Sequence, residues 1–224
     1  FSPFSQTGWS NYFDGVSAKF TLPSNSVFAF GTGAYTVEFY VYFIALGSGA
    51  TDSRIFDAGS ATNSFGVSIN NNAVSIAKYG TGYVLSTANN TLSSNQWAHV
   101  AVVRDSTSSN ATRIYINGVL SVTGTDSNDW TVTTTPYICG LGLSLYNPQV
   151  YLSNLRVTKG GALYTSNFTP STTNLTTTVS AGTVSLLTCQ NNRFIDNSVN
   201  NFTLTAVGTP SVQAFSPFAP TAAY

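Results

Sequence analysis

The chain has 224 residues, of which only 7% are charged, with eight basic and eight acidic side chains balancing to zero. Such a surface has no electrostatic footprint for nucleic acid or an anionic membrane, and there is no run of about 18 apolar residues to insert across a bilayer. The length suits one large domain with a substantial core, whose polar surface comes from Ser, Thr, Asn and Gly, residues that favour turns and strand edges over helix interiors.

The pattern along the chain predicts strands and no helix. Tyr35, Val37, Phe39, Val41 and Phe43 alternate with Thr36, Glu38, Tyr40 and Tyr42, which puts an apolar row on one face and a polar-aromatic row on the other. Strands follow at Arg54 to Asp57, Ser64 to Ile69 and Ala73 to Tyr79, with Asn70-Asn71-Asn72 as the turn between the last two. Trp97 to Arg104 is almost continuously apolar, as in a strand covered on both faces. Arg113 to Ile116 and Val119 to Val122 flank Asn117-Gly118, the strongest short hairpin signal, because both turn residues must take positive φ. Later strands are expected at Tyr137 to Cys139, Val150 to Thr158, Val184 to Cys189, Phe202 to Thr205 and Val212 to Phe215. So many short strands imply two stacked antiparallel sheets, with Val37, Phe39, Val41, Val100, Val102, Ile114 and Ile116 in the core.

Two further features stand out. Cys139 and Cys189 are the two cysteines, and they are either a disulfide or two buried thiols. Phe1-Ser2-Pro3-Phe4 recurs as Phe215-Ser216-Pro217-Phe218, which suggests a unit from a tandem array. The chain has no methionine, so a processed product or a part of something longer is expected.

Several segments resemble laminin-G-like repeats of the concanavalin A-like jelly-roll class. They are Asn11-Tyr12-Phe13-Asp14-Gly15, then Phe30-Gly31-Thr32-Gly33 with Tyr35 to Val41, then Trp97 to Arg104 with Arg113 to Gly118, and finally Tyr151 to Gly160 with Leu163-Tyr164-Thr165 and Asn167-Phe168-Thr169-Pro170. The tail, Leu186 to Ser198 and Val212 to Phe218, is similar to the version in marine phage proteins, especially those of phages infecting cyanobacteria. The resemblance implies a two-sheet antiparallel jelly-roll sandwich. It also implies a module that sits on virion surfaces, in fibres or in decorations.

The residues argue against catalysis. Glycosidases need two carboxylates flanking the scissile bond, and Glu38 is the one glutamate of the chain; no paired-carboxylate motif is evident. His99 is the one histidine and lies in a Val-rich strand, with no nucleophile elbow beside it. It is expected to be packed and hydrogen-bonded, and Glu38 to be structural. No phosphate loop, dinucleotide fingerprint or zinc cluster occurs. The laminin-G likeness implies calcium on rim loops. Thr125-Asp126-Ser127-Asn128-Asp129 offers the hard oxygens calcium prefers, so Asp126 and Asp129, with Asp57 from a neighbouring loop, are the candidate ligands; a plain polar loop is the alternative. Tyr40 and Tyr42, opposite the core row, and Tyr79 and Tyr83, around Gly80-Thr81-Gly82, are the candidate glycan platforms. The same tyrosines would equally serve as packing surfaces.

The expectation is therefore an all-β jelly roll spanning 11–210, with junction segments at 1–10 and 211–224. It is read as a non-enzymatic virion-surface or extracellular module for assembly and attachment to host glycans, or else as a secreted lectin-like adhesin repeat. Its expected partners are other virion proteins, copies of itself and cell-surface glycan.

Overall fold

A computed structural model describes residues 8–46, 52–105, 111–131, 134–142 and 146–219. Among them are fifteen strands and no α-helix: β1 (Ser10–Asp14), β2 (Lys19–Thr21), β3 (Tyr35–Ala45), β4 (Ser53–Asp57), β5 (Phe65–Asn70), β6 (Ala73–Lys78), β7 (Gly82–Ser86), β8 (Trp97–Asp105), β9 (Ala111–Ile116), β10 (Val119–Thr125), β11 (Tyr137–Ile138), β12 (Gln149–Lys159), β13 (Thr183–Thr188), β14 (Thr205–Val207) and β15 (Ser211–Gln213). Phe1 to Phe4, the first copy of the repeated tetrapeptide, lies outside the described residues.

The strands form an eight-stranded sheet ordered β10-β9-β8-β3-β12-β1-β15 and a seven-stranded sheet ordered β14-β2-β11-β4-β5-β6-β7. The 11-residue strands β3 and β12 are the spine of the first. One edge of β12 pairs with β3. Its other edge is shared, with β1 against Gln149 to Leu152 and β13 against Leu155 to Lys159.

The period-two pattern of β3 decides what faces inward. Val37, Phe39 and Val41 are fully buried between the sheets with Val100, Val102 and Ile114. Ile116 packs against this core from its margin. The seven-stranded sheet contributes Ile55, Phe56, Val67, Ile69, Val74 and Ile76. Cys139 and Cys189 are both free thiols buried in the same core, and burial pushes the Cys189 thiol up to about 12, away from any thiolate chemistry. The Asn117-Gly118 turn takes φ values of 51° and 76°, as its sequence requires.

Candidate functional site

The outward row of β3 carries the chemistry. Glu38 is fully buried although it points away from the core. Its Oε1 accepts from Arg156 Nε (2.9 Å) and Nη2 (2.6 Å), and its Oε2 from the Tyr164 hydroxyl (2.8 Å) and His99 Nε2 (3.2 Å). Arg156 and His99 stand on β12 and β8, the neighbours of β3, while Tyr164 comes from the long β12–β13 connection. That connection covers the sheet face. The Tyr164 and Phe168 rings stack at 3.6 Å, and Phe168 lies 5.6 Å from His99 and 5.5 Å from Tyr115. The Asn117-Gly118 turn holds the cover down: Phe168 N–H donates to the Gly118 carbonyl, and a Cβ on Gly118 would sit 1.9 Å from the Phe168 carbonyl oxygen. Glu38 and His99 are thus enclosed, hydrogen-bonded groups that hold a cover to a sheet.

Further along the same face the C-terminal segment closes the surface. β15 adds to the sheet edge against β1. The chain then turns onto the face and seats Phe215 among Tyr42 (4.9 Å), Tyr151 (4.9 Å) and Trp97 (5.2 Å). Phe218 lies edge-on over Tyr40 at 5.2 Å. Ser10 Oγ donates to the Phe215 carbonyl, and Ser216 is fully buried, its Oγ accepting from Phe218 N–H. Tyr40 and Tyr42, expected as glycan platforms or as packing surfaces, are the packing floor beneath two phenylalanines.

Beside Phe218 a groove of about 430 Å³ remains open, lined among the described residues by Thr172, Thr173, Asn174 and Phe218. Tyr40 positions both walls, because its ring supports Phe218 and its hydroxyl donates to the Ser171 carbonyl. Asn174 is fixed through its Oδ1, which accepts from Asn154 Nδ2 at 3.3 Å. The sequence signals for this groove were the hydroxyl and amide run Ser171-Thr172-Thr173-Asn174 and the recurring Phe-Ser-Pro-Phe. Neither contains a tyrosine, and the repeat pointed to a junction between modules rather than to a binding wall.

Tyr79 and Tyr83 lie elsewhere, at the β6–β7 hairpin of the seven-stranded sheet. Tyr83 is 43% exposed and its hydroxyl accepts from Asn70 Nδ2 at 2.8 Å. The four candidate tyrosines are thus divided between the two sheets.

The three carboxylates that were candidate calcium ligands are not gathered. Among the described residues no group of three or more His, Cys, Asp or Glu side chains could hold a metal ion. Asp126 is fully buried, its Oδ2 bound by Arg104 Nη1, the Tyr35 hydroxyl and Trp130 Nε1, its Oδ1 by Asn128. Asp57 faces Arg54 at 3.3 Å and accepts from Gly59 N–H at 3.0 Å. Asp129 is exposed. Arginine already supplies the positive charge that a cation would bring to Asp57 and Asp126, so these residues do not fit a calcium site.

A carboxylate pair that the sequence does not reveal straddles β4, Asp52 just before it and Asp57 at its end. Arg54 Nε lies 3.2 Å from Asp52 Oδ2 while its Nη1 reaches Asp57. A register irregularity between Arg54 and Phe56 brings side chains five positions apart to one guanidinium. Gly66 on β5 leaves the space, since a Cβ there would meet Asp57 Oδ2 at 2.5 Å. Burial, with Asp52 adding to it, outweighs Arg54 and the Gly59 N–H and raises Asp57 to about 7. An acid whose folded pKa exceeds its unfolded value binds more protons folded than unfolded, so its contribution to stability falls as pH rises from about 4 to about 7. Asp57→Asn is expected to flatten the stability profile between pH 5 and pH 8, measured by urea denaturation. A slope unchanged from wild type would count against this origin.

No curated protein sequence matches the chain significantly. The laminin-G-type family profile of the concanavalin A-like lectin/glucanases superfamily matches residues 14–157. The chain belongs to that superfamily. Among solved structures it is similar to a candidate carbohydrate-binding protein from Bacteroides ovatus (TM-score 0.55, 15% identity), covering 93% of this chain but 60% of that one. It is also similar to the heptameric SAP-like pentraxin of Limulus polyphemus (TM-score 0.59, 14% identity), covering 96% of this chain and 99% of that one. At these identities the likeness is one of fold. Among the described residues no helix is long and apolar enough to cross a membrane.

Proposed function

We propose that the protein is a non-catalytic carbohydrate-binding module that takes a neutral glycan in the groove between Phe218 and Thr172, Thr173 and Asn174. The observation that carries this reading is the make-up of the groove, with one half-buried aromatic wall, one wall of exposed hydroxyl and amide groups, and no charged side chain among its described lining. A sugar ring presents the matching surfaces, an apolar C–H face to lie on an aromatic ring and hydroxyl edges that both donate and accept. The volume falls within the ~300–1,000 Å³ of small-molecule sites. The family is one of lectins as well as glucanases, and one structure of similar fold is described as a candidate carbohydrate-binding protein.

Catalysis is disfavoured by the state of the carboxylates. Hydrolysis of a glycoside needs two carboxyl groups that flank a bond with room for the sugar or a water between them. Between Asp52 and Asp57 stands the Arg54 guanidinium, and Asp57 has no exposed surface. Glu38 is enclosed on all sides. The place of action proposed is extracellular or on a virion surface. The virion assignment is supported by the likeness of the tail, Leu186 to Ser198 and Val212 to Phe218, to phage proteins.

The test is calorimetric titration with a panel of neutral hexose and N-acetylhexosamine oligosaccharides. Phe218→Ala is expected to weaken binding about 10–100-fold, as loss of an aromatic anchor does. Thr172→Ala with Asn174→Ala should give a comparable loss, and Tyr83→Ala no change. No reducing ends should be released on prolonged incubation. Binding that survives the groove variants and is lost with Tyr83→Ala would place the site on the other sheet and sink the proposal.

A further inference from the structure

Phe215 to Phe218 is a key in a fitted socket, and each of its four residues is used. Phe215 enters the ring set of Tyr42, Trp97 and Tyr151. Ser216 is fully buried and caps the Phe218 N–H. Pro217 sits in the turn closed by the Ser216–Ala219 bridge, its ring fixing φ. Phe218 lies on Tyr40. The same four residues, in the same order, open the sequence as Phe1-Ser2-Pro3-Phe4. The tetrapeptide thus occurs twice in these 224 residues, and the described socket is filled by the second copy, which its short tether holds at roughly millimolar effective concentration.

We propose that Phe1 to Phe4 is a key for the Tyr40, Tyr42, Trp97 and Tyr151 socket of another copy of this module, so that modules join head to tail. Chemical identity with a segment seen in place is the argument for the fit. The position of the first described residue is the argument for the geometry. A Cβ on Gly8 would lie 2.5 Å from Ser216 Oγ and 3.3 Å from the Phe218 ring, so the chain reaches Gly8 beside its own filled socket. Seven residues span at most about 25 Å, which confines the neighbouring socket to that distance from Gly8. Because the module's own socket is filled by Phe215 to Phe218, the partner must be a copy whose socket is open. This inference does not rest on the glycan reading, which concerns the groove beyond Phe218.

The experiment empties the socket in the full chain. Phe215→Ser with Phe218→Ser should self-associate in sedimentation velocity at least 30-fold more tightly than wild type. A synthetic peptide ending in Phe-Ser-Pro-Phe should compete, and adding Phe1→Ser with Phe4→Ser should return the chain to the wild-type state. Glycan binding by wild type should be untouched by Phe1→Ser with Phe4→Ser, which separates the two proposals. If the open-socket variant associates no more than wild type, or if its association persists without Phe1 and Phe4, the proposal is overturned. Should the double variant not fold, Phe215→Leu loosens the key while keeping the sheet face covered, and the same reversal by Phe1→Ser with Phe4→Ser is required.

Discussion

Arg104→Ala is expected to be strongly destabilising. Arg104 is fully buried at the end of β8. Its Nε and Nη2 donate to the Gly33 carbonyl, its Nη2 also to Gly31, and its Nη1 to the Asn128 carbonyl and to Asp126. One guanidinium thus ties the turn before β3 to the loop after β10, over the Tyr35 ring at 4.9 Å. Removing it strands the Asp126 carboxylate without its counter-charge, an effect of roughly 3–5 kcal/mol. Each carbonyl oxygen left without a donor adds to the loss, by about 1–3 kcal/mol. For a chain of this size the melting temperature should fall by roughly 10 °C or more. Arg104→Lys keeps the charge but cannot fork to three carbonyls, and should recover only part of the loss. A thermal melt of Arg104→Ala within a few degrees of wild type would show that the clasp contributes little.

The second large effect belongs to Glu38. Substitution by Ala leaves Arg156 and His99 buried without their carboxylate partner, again roughly 3–5 kcal/mol, and frees the Tyr164 hydroxyl that holds the cover over the sheet. Its pH signature is distinct. Burial alone would raise the Glu38 pKa, but the hydrogen bond and charge of His99 together with Arg156 outweigh it and hold the carboxyl below its ordinary value. A lowered acid contributes stability that is complete above its unfolded pKa of about 4.5 and is lost as pH falls through the folded value. Glu38→Gln should therefore be less stable than wild type at pH 7 and converge on it in acid. Asp57 acts in the opposite sense and at higher pH, so the two are separable in one series of urea titrations from pH 3 to pH 8. Parallel wild-type and Glu38→Gln curves down to pH 3 would contradict the assignment.

What could be read before folding follows from the range of the interaction. β3, β8 and the Asn117-Gly118 hairpin were legible because period two and a two-residue turn are local signals, and the packed role of His99 followed from its Val-rich strand; the structural role of Glu38 was inferred only from the lack of a second carboxylate. β2 is too short to show a period, and β7 presents an exposed glycine and tyrosine at its start. The strand expected at Phe202 to Thr205 lies further on, at β14 (Thr205–Val207), because Phe202 packs against the core, and the one expected at Val212 to Phe215 begins one residue earlier and stops at Gln213 in β15, because Phe215 leaves the ladder for the sheet face. Asp126 read as a calcium ligand because its partner Arg104 lies 22 positions away, beyond any local pattern. The Asp52–Asp57 pair does not show in the sequence because an odd spacing puts residues on opposite faces of a regular strand, and only the bulge reverses that. The tyrosine row was located correctly on β3, but whether such a row is a platform or a floor depends on Phe215 to Phe218 folding back onto it.

The register of the edge pair sets how the module answers a pull. Ser10 of β1 stands across from Gln213 of β15, and Tyr12 across from Ser211, so the chain enters and leaves at the same end of this three-rung ladder. Tension between the two ends opens it one rung at a time, like a zipper, and does not shear every bond together. The Phe215 to Phe218 strap peels first and β15 follows, releasing roughly 30 Å of chain for about ten residues. The β1–β12 ladder, with its further four pairs, and the core behind it are loaded only afterwards. A string of such modules would yield by small, reversible extensions at each junction before any sandwich was broken, the behaviour of a shock absorber built into the seam.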